Sequence, residues 1–346
     1  MRNSYLIIGT GAIGAYVGSL LHRSERAVVF HCRSNYEFIQ RDGLTISDQQ
    51  HSWTSYSLLL SNDLSKALPC SVGLLCTKSY ENDNLLRSLS RTNYPKIIIC
   101  MQNGIGMEEK ILRYLPDVTI ISAICFVKVT PRSKNHFHHD FGNTIALAQY
   151  DPTTKQYLEK TGILSAVTAD FVRAGVTAHP KKFKDVLWTK LALNVPLCLL
   201  SIIHNQSTTA LARDTHYRSR FYELLHEIEK IAKSEGAEID VPFIMTDLKR
   251  FASTGTEVFH SMKADFDHNR PIEFESMFYN VFKIARRNNI STPLLDDAIG
   301  RVKKLFLSKS SDESSISALI KTRQTKCAND KNSDEKIRVP FLRSSL

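Results

Sequence analysis

The sequence predicts an α/β chain, with an N-terminal Rossmann-type domain on a parallel sheet and an all-α C-terminal domain behind it. Three observations predict this. Short, continuously apolar runs alternate with helical patterns through the first half, as a parallel sheet covered on both faces requires. The motif Gly9-Thr10-Gly11-Ala12-Ile13-Gly14 follows the first apolar run and opens the first helical pattern. Beyond about residue 180 the β-rich runs stop and helical periodicity takes over.

In order, residues 5–8 read as a strand, 13–23 as a helix, 27–30 as a strand and 35–41 as a short helix. Residues 72–76 and 97–100 are apolar strands flanking a helix over 81–90, and 120–127 and 144–148 read as further strands. Residues 184–203 form one long apolar-rich helix in which Pro196 is a candidate kink. Residues 213–234 are amphipathic, with Phe221, Leu224, Leu225, Ile228 and Ile231 at helical spacing and Gly236 placed to end the helix. Helices over 242–251, 258–267, 274–287 and 294–306 complete the second half. The division is 1–180 for the dinucleotide domain and 181–307 for the helical substrate domain. Residues 308–346, rich in Ser, Lys, Asp and Asn, read as a flexible tail.

Composition narrows the function. The chain has 346 residues, 42% of them hydrophobic, which is enough for two domains with real cores. No apolar run approaches membrane-spanning length; the longest candidate, 191–203, is short and carries Asn194 and Pro196. The N-terminus enters a strand at once and leaves no room for a signal peptide. Seven dispersed cysteines without a C-x-x-C pair read as buried thiols. The net charge of +10 is scattered, with no basic stripe, so nucleic acid is not an expected partner. His136-Phe137-His138-His139 sits beside a loop-like run and reads as exposed histidines, and no metal is expected.

The glycine motif has a mechanism. Gly9 allows the tight turn, Gly11 lets a pyrophosphate approach, Gly14 lets helix and strand pack closely, and the helix N-terminus faces the anion. An acid for the ribose hydroxyls is expected where the second strand ends; that stretch reads His31-Cys32-Arg33-Ser34-Asn35 instead. A guanidinium pairs with a 2′-phosphate, so Arg33 favours NADP(H). Lys78 and Asn103 follow two other strands, where ligands of such sheets bind. In the helical half, Lys190 and Asn194 share a helix face in apolar surroundings, the lysine either snorkelling or facing a cleft. Ser261 and Asp265 share another face, and Glu273 lies at a helix start as a cap or as a functional acid.

These residues together resemble the ketopantoate reductase family: G-x-G-x-x-G at Gly9–Gly14, Arg33, Lys78, Q-N-G-x-G at Gln102–Gly106, W-x-K-x-x-x-N at Trp188–Asn194, then Ser261, Asp265 and Glu273 in order. The resemblance spans about residues 4–307. It implies NADPH-dependent reduction of 2-dehydropantoate to (R)-pantoate in pantothenate synthesis, with Lys190 as general acid and Glu273 beside it and the nicotinamide ribose. It implies that Gly9, Thr10, Gly11, Ala12, Ile13, Gly14, Arg33, Lys78, Asn103 and Glu273 contact cofactor. It implies that Asn103, Asn194, Cys198, Thr208, Ser261 and Asp265 surround substrate, with Asn103 and Asn194 hydrogen-bonding it and Ser261 holding its carboxylate. Cys198 and Thr208 stand where family members commonly carry asparagine, and Asn205 is the nearby substitute. A paralogue reducing another 2-oxo acid and a non-catalytic NADP-binding sensor are the competing readings. The expected partner is a small 2-oxo acid, without nucleic acid or membrane, and a homodimer is left open. The expected compartment is the cytoplasm, with the mitochondrion left open.

Overall fold

The computed structural model describes residues 3–179 and 181–309. β1 (Ser4–Ile8) leads into α1 (Ala12–Arg23), and β2 (Ala27–His31) into α2 (Tyr36–Asp42). The hairpin β3 (Leu44–Ser47) and β4 (Ser52–Ser55) and a short β5 (Leu59–Ser61) follow. Then come β6 (Val72–Leu75), α3 (Asn82–Leu89), β7 (Ile97–Cys100), α4 (Met107–Tyr114), β8 (Thr119–Pro131) and β9 (His136–Asp151). β10 (Gln156–Leu158), α5 (Gly162–Arg173) and β11 (Thr177–Ala178) close the sheet region.

The strands form one sheet in the order β4-β3-β9-β8-β7-β6-β1-β2-β5, with β10 and β11 pairing to β9. All neighbours from β5 to β8 are parallel. Alternate residues of β1 feed different cores. Tyr5 and Ile7 pack with α1 and α5, whereas Leu6 and Ile8 pack with α3 and α4. The strand order reverses between β1 and β6, and ligands of such sheets bind outside the carboxyl ends of the strands at that point.

The sheet is nevertheless not wholly parallel. β9 runs antiparallel to β8 over most of its length, and β3 to β4. The two last predicted strands are fragments of elements of 13 and 16 residues. The histidine run therefore lies in β9, not in a loop. Ser47 on the neighbouring β3 sits between His136 Nε2 at 2.8 Å and His138 Nδ1 at 3.0 Å.

The second half is helical. It contains α6 (Phe183–His204), α7 (Thr208–Arg213), α8 (Thr215–Ser234), α9 (Val241–Ser253), α10 (Ser261–Asp267), α11 (Asn280–Arg287) and α12 (Pro293–Lys309). α6 is continuous through Pro196, which simply lacks the N–H for the Ala192 carbonyl. With 22 residues it is long and apolar enough to cross a membrane, contrary to the sequence reading, yet 83% of its apolar window is buried by other elements. The helix predicted over 258–267 begins only at Ser261. Val258 spends its backbone on Thr208 N and Thr209 Oγ1 instead, at 2.8 and 3.0 Å. α12 runs past the predicted tail boundary to Lys309; residues 310–346 lie outside the described residues.

Candidate active site

The turn after β1 is built for close approach. A Cβ on Gly14 would meet the Gly9 carbonyl oxygen at 2.1 Å, so only glycine lets α1 start here. Thr10 Oγ1 donates to the His31 carbonyl at 3.1 Å, and Asn35 Nδ2 to the Thr10 carbonyl at 2.7 Å, fixing the loop against the end of β2. A Cβ on Gly11, by contrast, would meet nothing within 4 Å. That open space lies at the N-terminus of α1, where unpaired N–H groups favour an anion. It faces a cavity of about 1400 Å³ that runs from the glycine loop to α6 and α9. Gly9, Thr10, Gly11, Ala12 and Ile13 line it, and these residues fit a dinucleotide. Gly14 does not line it; its part is packing.

Arg33 lines the far end with a largely exposed side chain, 3.6 Å from Glu81. An exposed pair of this kind is weak, so the guanidinium can leave it for a phosphate. The structure also brings Asp63, from the end of β5, to this rim. His31 lines the same end. Burial, with help from Arg33, pushes its imidazole down to about 4, so it is neutral.

Two strand-end loops are tied together beneath the cavity. Gln102 Nε2 donates to the Thr77 carbonyl at 2.8 Å and to Asn82 Oδ1 at 2.7 Å. Gly104 then turns with φ +100°, its α-carbon so near Ser276 that a Cβ would sit 2.4 Å from the Ser276 carbonyl oxygen. Ile105 N donates to that same oxygen at 3.0 Å. The Ser276 carbonyl belongs to an irregular π turn, Glu275–Tyr279, at the head of α11. The sheet half and the helical half thus meet backbone to backbone beside Asn103.

Lys190 projects from α6 into this junction. Its Nζ donates to Asn103 Oδ1 and to the Cys125 carbonyl, each at 2.9 Å. An ammonium has three donors, so one N–H remains for a ligand. Burial pulls the Lys190 pKa below that of an ordinary lysine, against a smaller upward pull from Cys125 and Glu273. Asn194, one turn along α6, lines the same cavity. The lysine faces a cleft; it does not snorkel to solvent.

Glu273 makes no hydrogen bond or ion pair with Lys190, although its charge pulls the Lys190 pKa upward. Its carboxylate accepts from Lys78 Nζ and from Ser79 N, both at 3.3 Å. Asp265 takes the other side of Lys78 at 2.9 Å and is also held by Arg270 at 2.8 Å. Burial opposes the charge on Lys78, but Glu273 and Asp265 more than offset it and raise its pKa. Asp265 lies outside the cavity lining, because this pairing turns it to Lys78 and Arg270.

Cys198 is corrected in the same way. It is wholly buried and lies outside the lining, its Sγ 3.1 Å from His260 Nδ1. His260 is what lines the cavity at that point. Desolvation, with Lys128, Lys78 and Lys190 nearby, pushes its imidazole down to about 3. Asn205 does not substitute either; it ends α6 in the left-handed region and accepts from Lys263 Nζ at 2.9 Å. Thr208 and Ser261 do line the cavity, and Thr208 Oγ1 is buried with no hydrogen-bond partner. Sequence reasoning missed Phe126, Lys128, Phe243 and His260, which line it as well. Phe126 lies inside the strand read over 120–127 and Lys128 one residue beyond it, so the alternation of β8 could have shown both. Among the described residues no group of three or more His, Cys, Asp or Glu could hold a metal, and six cysteines are free thiols.

Comparison with known proteins places this architecture. The family described as Ketopantoate reductase PanE/ApbA matches residues 5–152, and its C-terminal counterpart matches residues 182–305. A 2-dehydropantoate 2-reductase of Nostoc sp. is 31% identical over 300 residues, covering 85% of this chain and 92% of that protein. The chain belongs to the ketopantoate reductase family. It is thereby an NADP-dependent oxidoreductase of the 2-dehydropantoate 2-reductase type. The crystal structure of 2-dehydropantoate 2-reductase from Geobacter metallireducens superposes with a TM-score of 0.77 at 24% identity, covering 87% of this chain and 99% of that one. D-mandelate dehydrogenase, solved with NADH and anilino(oxo)acetate, shares the fold with a TM-score of 0.75 at 18% identity, over 88% and 99% of the two chains. The ketopantoate reductase fold therefore covers both halves.

Proposed function

We propose that this chain reduces 2-dehydropantoate to (R)-pantoate with NADPH, a step of pantothenate biosynthesis, using Lys190 as general acid. The carrying observation is the Lys190 ammonium, fixed by Asn103 and the Cys125 carbonyl with one donor left over. NADPH, when bound along the glycine loop with Arg33 at its 2′-phosphate, supplies the hydride. Lys190 gives its free N–H to the C2 ketone oxygen and passes it a proton as that oxygen becomes an alkoxide. Burial makes Lys190 a stronger acid than a solvated lysine, which favours the transfer. Asn194 and Ser261, which line the cavity beside Lys190's helix and His260, orient the substrate. Lys78, clamped by Glu273 and Asp265, keeps the two halves in register. The division at about residue 180 separates the half that carries the glycine loop from the half that carries Lys190, Asn194 and Ser261, and the cavity between them is lined by both. A soluble, cytoplasmic enzyme is the setting that goes with this reading.

Another 2-oxo acid is the second reading, favoured by Phe126, Phe243 and Phe251 in the lining. The deciding experiment follows NADPH oxidation with ketopantoate beside a panel of 2-oxo acids, for wild type and Lys190→Ala. Turnover of ketopantoate that collapses in the variant supports the proposal. Turnover of a different oxo acid alone transfers it to that substrate. NADPH binding without any turnover would overturn it in favour of a sensor.

A further inference from the structure

We propose that Lys128 is the cationic seat for the carboxylate of the 2-oxo acid, and so sets the chain's preference for acids over neutral ketones. The inference rests on the reductase reading above.

Lys128 lies on β8 opposite Phe141, with an irregularity of the β8/β9 ladder on each side of it. Such breaks re-aim side chains next to sites. Lys128 lines the cavity together with His260 and Ser261. Among the described residues its ammonium has no hydrogen-bond or ion-pair partner within reach; the Asp140 carboxylate acts on it from farther off and is already engaged by Thr130 Oγ1 at 2.6 Å. Burial pulls the Lys128 pKa down, the mark of a charge that is short of a partner.

The other cations of the lining are spoken for or exposed. Lys78 sits between Asp265 and Glu273. Lys190 is committed to Asn103, the Cys125 carbonyl and the ketone. Arg250 pairs with Asp247 at 3.0 Å and lies over Phe141 at 4.0 Å. Arg33 is at the cofactor's far end, and Arg91 and Lys134 are exposed. Lys128 and His260 are close enough for the ammonium to be the foremost charge acting on that ring. The imidazole is neutral, so it does not repel cations or compete for an anion. A half-buried, unpaired ammonium near His260, in a cavity that Ser261 also lines, is what a substrate carboxylate would complete, since a charge taken from water needs a partner.

The test uses the full chain as wild type, Lys128→Met and Lys128→Arg. Each is assayed with the 2-oxo acid turned over best and with its methyl ester. NADPH affinity and melting temperature are measured alongside. The expected result is a ~10–100-fold rise in KM for the acid in Lys128→Met, the loss of one charge-assisted contact. kcat should fall much less, and Lys128→Arg should recover most of the affinity. The wild type should favour acid over ester, and Lys128→Met should lose that preference. Unchanged KM, or an unchanged preference in Lys128→Met, overturns the proposal. Should the wild type reduce no 2-oxo acid, the reductase reading fails, and calorimetry with oxamate on the NADP⁺-loaded protein decides separately. Oxamate binding that depends on Lys128 supports the proposal; binding equal in all variants, or absent from the wild type, overturns it.

Discussion

Asn103 accepts a hydrogen bond from the Lys190 ammonium at 2.9 Å, from the end of a sheet loop to the middle of a buried helix. The proton donor is therefore aimed by a residue from the other half of the molecule. Lys190→Ala is expected to lower kcat by ~100-fold or more, about 2.7 kcal/mol of transition-state stabilisation. NADPH affinity should persist, which equilibrium binding would check. Because burial lowers the Lys190 pKa, and the acid must be protonated to act, reduction should fade as pH rises through that pKa. The alkaline limb of kcat should lie below the range of a solvated lysine. A limb at or above that range would count against Lys190.

Removing the aim without the acid should be milder. Asn103→Ala leaves Lys190 with only the Cys125 carbonyl. A ~10-fold or larger loss of kcat is expected, with the pH limb displaced, because the acceptor that favours the charged form has gone. A variant with wild-type kcat and limb would show that Asn103 does not position the lysine.

Gly11 separates folding from binding. A side chain there meets nothing within 4 Å, and its φ of −85° suits any residue. Gly11→Val should keep the melting temperature and lose NADPH affinity by ~10-fold or more, since the branched side chain fills the space a pyrophosphate needs. Equal loss of both would mean the loop is structural only.

Arg33 should decide between cofactors. Its pairing with Glu81 is exposed and long at 3.6 Å, so the guanidinium is available to a 2′-phosphate. Arg33→Ala should cut the kcat/KM preference for NADPH over NADH by ~10–100-fold. An unaltered preference would assign the discrimination elsewhere.

Acid should destabilise the fold through its neutral histidines. His260 titrates near 6.5 when solvated and at about 3 in the fold, and His31 at about 4. Between these values the unfolded chain binds protons that the folded chain refuses. Stability is therefore full above about pH 6.5 and declines as pH falls toward 3 to 4. Melting temperature against pH should be flatter over this window for His260→Gln. A curve as steep as wild type would place the acid sensitivity at other groups.

Much of this architecture is legible in the residues, for identifiable reasons. Val72–Leu75 and Ile97–Cys100 are buried strands whose apolar runs leave no alternative. The glycine turn and the Lys190–Asn194 face are local patterns, carried by spacing along one element. What could not be read depends on distant partners. Glu273 and Asp265 turn to Lys78, nearly two hundred residues earlier in sequence, and no local pattern announces an ion pair of that span. The helical reading of 258–260 failed because Thr208 and Thr209 claim the Val258 backbone. Cys198 was assigned to the substrate because it stands where family members commonly carry asparagine, but it is buried against His260, which lines the cavity in its place. Lys128 lies one residue past the strand read over 120–127, and the irregularity that sets it apart comes from the pairing of β8 with β9, which no local pattern announces.

Gly104 carries a consequence of its own. The Ser276 carbonyl oxygen occupies the volume a methyl group would need there, so the closeness of the two halves depends on a single absent carbon. Alanine at this position would act as a wedge. It would part Asn103 from Lys190 without replacing either, making the reach of the acid adjustable from the turn beside it.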